Sequence, residues 1–125
     1  MKLLSLILTG FVAVEHVFIL VLEMFLWKTE FGMKVFQLTP ETAEITAKLA
    51  KNQGLYNGFL AAGLFWALLF IKEQNQKFQT ILFFLVCVVV AGIYGSATAK
   101  FSILFSQGLP AFLALVVHWL ANHKR

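Results

Sequence analysis

Long apolar runs alternate along the chain with short polar joints. The runs cover 3–27, 52–71, 80–99 and 103–121. Each approaches the roughly 20 residues that an α-helix needs to cross a bilayer. The joints at 28–51, 72–79 and 100–102 and the tail at 122–125 carry most of the charge. This pattern predicts an all-α protein, an antiparallel four-helix integral membrane bundle forming a single domain over residues 1–125. The long first joint carries signals of its own. Thr39-Pro40-Glu41 reads as an N-cap, a proline at the first helical position and an acid in the first turn. The second helix is therefore predicted to reach back to residue 40 and to rise out of the membrane before Asn52. Residues 31–38, with Phe31, Gly32, Met33 and Phe36, read as an interfacial loop or short helix. The last joint is so short that the third and fourth helices must form a hairpin, and Gly108 with Pro110 suggests a bend early in the fourth.

The polar positions inside these runs are not scattered. On a helical wheel Ser5, Thr9, Glu15, His16 and Glu23 share about a third of the circumference of the first helix. Thr9, His16 and Glu23 recur at seven-residue spacing, a seam that turns toward neighbouring helices. On the second helix Asn52, Gln53, Tyr56 and Asn57 occupy one face. Gly54, Gly58, Ala61 and Ala62 occupy another, which includes a GxxxG pair suited to close backbone approach. The third helix has a small-residue stripe at Cys87, Ala91, Gly95 and Ala99, with Tyr94, Ser96 and Thr98 near its end, and the fourth adds Gln107 near its start. In a four-span chain these groups fall in the leaflet away from the termini. Glu23 then lies about 6 Å from Trp27, and His16 lies about 10 Å deeper. The expectation is a polar cavity opening away from the termini, with Glu23 near its mouth and Glu15 and His16 at its floor.

Composition narrows the class. The chain is 60% hydrophobic and 13% charged, against about 45–50% and 25% in soluble domains, and its mean hydropathy is +0.83. The net charge of +4 is spread over loops and ends. There is no concentrated basic patch for nucleic acid, and the balance suits membrane lipids. The single cysteine, Cys87, excludes an internal disulfide or a CxxC redox pair and reads as a packing residue. The apolar start lacks a small-x-small cleavage site and reads as a retained helix. Lys2, Lys72, Lys77, Lys124 and Arg125 lie on the side of the termini, and Lys28, Lys34, Lys48, Lys51 and Lys100 lie opposite. The counts are equal, but the charges on the termini side crowd into shorter segments, which orients both termini to the cytoplasm. Trp27, Trp66 and Trp119 suit an interfacial belt.

Several of these residues have plainer roles. Ser5, Thr9, Ser96 and Thr98 suit hydrogen bonds that join helices, and the small stripes suit packing. His118, beside Trp119 near a helix end, reads as an interfacial residue. Glu15 and His16 point about 100° apart and make no HExxH spacing, so neither a metal site nor a cofactor is predicted. Glu15, His16 and Glu23 are costly at membrane depth, which favours a functional cluster over structural glue.

The stretches EHVFILVLEMFLW (15–27), NQGLYNGFLAAGLFW (52–66) and QGLPA (107–111) resemble a family of small four-span membrane proteins of bacteria and fungi, grouped as a conserved domain of unknown function. The resemblance covers essentially the whole chain. It implies a four-helix protein of the cell membrane and supplies no reaction, ligand or catalytic residue. Its blocks contain Glu15, His16, Glu23, Asn52, Gln53, Tyr56, Asn57 and Gln107.

Three functional readings follow. The first is a protein that binds, or acts as an enzyme on, a small apolar lipid-soluble ligand. In it Glu23 and His16 handle protons, and Glu15, Asn52, Gln53, Tyr56, Asn57, Tyr94 and Gln107 orient the ligand. The second is a homodimeric proton-coupled transporter that pairs through the GxxxG face, with Glu15 as its central site. The third is an accessory or structural subunit.

Overall fold

A computed structural model describes residues 1–98 and 102–123 of the chain. Ala99, Lys100, Lys124 and Arg125, which enter the sequence reading, lie outside the described residues. The described residues are helical, without strands: α1 (Lys2–Met24), α2 (Glu30–Phe36), α3 (Pro40–Leu69), α4 (Gln74–Thr98) and α5 (Leu109–Asn122), the last preceded by a π-helical turn at Leu104–Gly108. Three helical stretches are long and apolar enough to cross a membrane: Lys2–Met24, Gln74–Thr98 and Leu104–Asn122. At 23 residues, α1 is about 35 Å long against a hydrocarbon core of about 30 Å.

The chain divides into two compact units, Val14–Ala61 and Met1–Ala13 with Ala62–Arg125. The boundary falls inside α1 and inside α3.

In the unit Val14–Ala61, α1 ends at Met24, three residues short of the run that ends at Trp27. The hydroxyl of Thr29 donates to the Leu26 carbonyl at 2.6 Å and accepts the Gly32 amide at 3.1 Å, which closes the turn and caps α2. The start of α3 is a reciprocal box. Thr39 Oγ1 accepts the Thr42 amide at 3.2 Å, and Thr42 Oγ1 accepts the Thr39 amide at 3.0 Å. Two of the amides left open at a helix start are thereby satisfied, and Pro40 at the first position has none to satisfy. Trp27 packs at a tilt against Phe36, with centroids 4.6 Å apart, and donates to Thr46 Oγ1 at 3.0 Å, tying the turn after α1 to α2 and α3. The GxxxG face packs on α1. A Cβ at Gly54 would meet Met24 Cγ at 2.7 Å and Glu23 Cβ at 3.0 Å, and one at Gly58 would strike Leu20. Gly54 and Gly58 thus approach α1 of the same chain, while Ala62 on that face is exposed.

In the other unit, α4 begins at Gln74, six residues before the predicted start, because Glu73 caps it. Its Oε1 accepts the Asn75 amide at 2.8 Å and its Oε2 the Gln76 amide at 2.5 Å. The packed face of α4 is Ile81, Leu85, Val88 and Gly92. It lies one position along from the stripe read in the sequence, whose Ala91 is exposed. A Cβ on Gly92 would sit 2.7 Å from the Gly108 Cα, so two backbones meet there. The π-helical turn has a local cause. Pro110 has no amide to donate and its ring crowds the carbonyl four residues earlier, so the chain takes one extra residue and the Leu109 amide bonds to the Leu104 carbonyl. The π-helical turn stands where Gly108 and Pro110 suggest a bend.

Candidate functional site

The inner face of α1 carries the polar residues. Ser5, Thr9, His16 and Glu23 are buried, together with Val12, while Leu3, Ile7, Phe11, Val14 and Phe18 are exposed. The spacing that buries these polar groups is the helical period itself. Glu15, one residue from His16, is half-buried, and its Oε1 is buried without a hydrogen-bond partner among the described residues.

Glu23 is 2% exposed. Asn57 Nδ2 donates to its Oε1 at 2.7 Å, joining α1 to α3 within one unit. The contact depends on Gly54, one turn away on α3, where any side chain would collide with Glu23 and Met24. A carboxyl with one oxygen held by an amide N–H has a fixed orientation. Its second oxygen can donate or accept a hydrogen bond or pass a proton.

The remaining residues predicted for the site are placed differently. Asn52 and Gln53 are exposed, and Tyr56 is exposed with its ring edge-on to Phe59 at 5.8 Å. They lie on the predicted α3 face, but they do not wall in Glu23. Tyr94 is exposed on α4, and Gln107 is half-buried in the π-helical turn; both belong to the other unit. Ser96 and Thr98 bond to the carbonyls of Ile93 and Tyr94 on their own helix, both at 2.7 Å, rather than joining helices. Among the described residues no three His, Cys, Asp or Glu side chains gather as metal ligands.

A second polar centre, read from the sequence only as an interfacial histidine, surrounds His118. This residue is 3% exposed. Its Nε2 lies 3.1 Å from the Phe78 carbonyl and its Nδ1 lies 2.8 Å from Ser5 Oγ. A carbonyl only accepts, so the proton sits on Nε2, and the Ser5 hydroxyl donates to Nδ1. Its ring stacks on Phe78 with centroids 5.1 Å apart. One imidazole thus ties α1, α4 and α5 together within this unit. The only sequence signal was the exceptional cost of an imidazole four residues before the end of an apolar helix.

Residues 10–119 match the model of a family described as "Protein of unknown function (DUF1304)". A similar curated protein, "Uncharacterized protein YpaA" of Lactococcus lactis subsp. lactis (strain IL1403), is 35% identical over 118 residues, which cover 93% of this chain and 97% of that protein. No solved structure matches.

Proposed function

The chain belongs to the DUF1304 family of proteins of unknown function, and on that premise we propose that it is a multi-pass protein of the cell membrane whose buried Glu23–Asn57 couple takes the polar head of a small lipid-soluble ligand. In this reading α1, α3, α4 and α5 cross the bilayer as an antiparallel bundle with both termini cytoplasmic, and α2 lies at the opposite interface. The three apolar helical stretches support it, as does the inverted pattern of α1, which buries Ser5, Thr9, His16 and Glu23 and exposes Leu3, Ile7, Phe11, Val14 and Phe18. A helix bounded by water would do the reverse. The fourth crossing would be the part of α3 from Asn52 onward, where Asn52, Gln53 and Asn57 lower the hydropathy.

The observation that carries the ligand reading is the Glu23–Asn57 bond. An acid in an apolar bundle is costly and marks a functional position by default. Asn57 holds one carboxyl oxygen and leaves the other for a hydroxyl, carbonyl or exchangeable proton of the ligand. His16 lies two helical turns away on the same face of α1, about 10 Å along the axis, and would exchange a proton with Glu23 through the ligand or water between them. The apolar remainder of the ligand would lie along the Phe-rich outer surfaces.

The test starts from membranes that express the full chain. Alkaline carbonate should leave the protein in the pellet. Mass spectrometry of an organic extract of the purified protein should find a lipid-soluble compound that the wild type retains and Glu23→Ala loses. Release of the chain by carbonate, or equal retention by the two proteins, overturns the proposal.

A further inference from the structure

The ends of three helices in one unit surround a cleft. Lys2 opens α1, Gln74 opens α4 and Asn122 closes α5. The cleft has a volume of about 110 Å³ and is lined by these three with Ser5, Lys77 and His118, among others. A neighbouring cleft of about 250 Å³ shares Gln74, Phe78 and Asn122 and runs to Trp119 and His123. Among the described residues no carboxylate lines either cleft.

The polar groups here are already sorted into spent and available. His118 has both ring nitrogens engaged, by Phe78 and Ser5. Asn122 gives its amide to the His118 carbonyl at 2.8 Å. Glu73, the acid nearest to Gln74 in sequence, accepts the amides of Asn75 and Gln76. Lys77 Nζ leans on the Leu68 carbonyl at 3.4 Å, a contact that uses one of its three donors and steadies the ammonium. Two cations, Lys2 and Lys77, therefore face a cleft with no anion among its lining residues.

We propose that this cleft binds a phosphate group, with Lys2 and Lys77 neutralising its charge and Gln74 donating to an oxygen. The phosphate would be that of an anionic phospholipid head or free phosphate, which share this chemistry. The lipid source rests on the membrane reading above. Helix ends lie at headgroup level, where basic pockets between spanning helices hold anionic heads.

The test uses the full chain in uncharged detergent, titrated calorimetrically with inorganic phosphate and with soluble short-chain phosphatidylglycerol. In parallel, native mass spectrometry reads the lipid carried out of phosphatidylcholine nanodiscs that contain some phosphatidylglycerol. Saturable binding is expected, weakened about fivefold by Lys2→Gln or Lys77→Gln and about thirtyfold by both. Lys48→Gln with Lys51→Gln should leave it unchanged, and Lys2→Arg with Lys77→Arg should retain it, which separates lost charge from lost fold. Phosphate binding as tightly as the lipid supports the cleft and assigns the free anion. Lipid binding alone assigns the headgroup. Lipid binding in detergent without enrichment from nanodiscs supports the cleft and contradicts the membrane depth assumed for the helix ends. Absence of binding, unchanged binding in the double Gln variant, or equal weakening by the Lys48 and Lys51 changes overturns the proposal.

Discussion

Asn57 Nδ2 lies 2.7 Å from Glu23 Oε1, and the two residues are 34 positions apart in sequence. Removing the amide leaves the buried carboxyl without its donor. Asn57→Ala is expected to destabilise the chain by about 1–2 kcal/mol, the range for a side-chain bond between helices to a group of this kind. Unfolding in mild detergent followed by circular dichroism checks this. Asn57→Gln, with a longer amide, should recover only part of the loss.

The approach of Gly92 to Gly108 makes an asymmetric prediction. A methyl group on Gly92 would press on the Gly108 Cα at 2.7 Å and its nitrogen at 2.9 Å. A methyl group on Gly108 would meet Leu104 Cδ1 at 3.5 Å, an ordinary contact. Gly92→Ala should therefore cost about 1–3 kcal/mol, and Gly108→Ala should be close to neutral. Paired unfolding curves of the two variants test the difference.

Glu73 gives the start of α4 a dependence on acid. The amides of Asn75 and Gln76 that bind its carboxylate hold it below its ordinary value of 4.5. The folded chain therefore binds a proton less readily than the unfolded chain does. The contribution of the cap is complete above the ordinary value and is lost as pH falls through the lower folded one. Hydrogen exchange at Asn75 and Gln76 should accelerate, relative to the middle of α4, as pH is lowered past that range. In Glu73→Gln this extra, pH-dependent acceleration should be absent.

The geometry of His118 fixes a tautomer. With Nε2–H on the Phe78 carbonyl and Nδ1 accepting from Ser5, the ¹⁵N spectrum should show a protonated Nε2 and a bare Nδ1 in the neutral ring. Ser5→Ala should shift the Nδ1 resonance and cost about 1 kcal/mol, while Ser5→Thr should keep the bond. A proton found on Nδ1 would contradict this arrangement.

These relationships were unevenly readable in the sequence. The stripe of α1 was readable because burial follows the helical period, and that period is local. The start of α3 at Pro40 was readable from Thr39-Pro40-Glu41, although the part played by Thr42 was not. His118 was read as interfacial because it stands beside Trp119 near a helix end. Its partners Ser5 and Phe78 lie 113 and 40 residues away, and no local pattern joins them. The packed face of α4 was read only in part because small residues alone were taken as the contact: Gly95 of that stripe does approach Ile103, but the buried residues are the large Ile81, Leu85 and Val88 with Gly92. Tyr56 shared a wheel face with Asn57 but is exposed, because a wheel gives direction around a helix and not which neighbour stands there.

The central claim is that Glu23 meets a ligand rather than only bracing Asn57, and the isosteric variant Glu23→Gln separates these roles. Its carbonyl oxygen still accepts the Asn57 amide, so the helix contact survives while the acid is lost. The measurement is the affinity of the co-purifying compound for the wild type and for Glu23→Gln, with unfolding of both followed alongside. The account predicts nearly unchanged stability and binding at least about tenfold weaker, the effect of losing one bond to an ionisable group. Unchanged binding in a stably folded Glu23→Gln protein would contradict it.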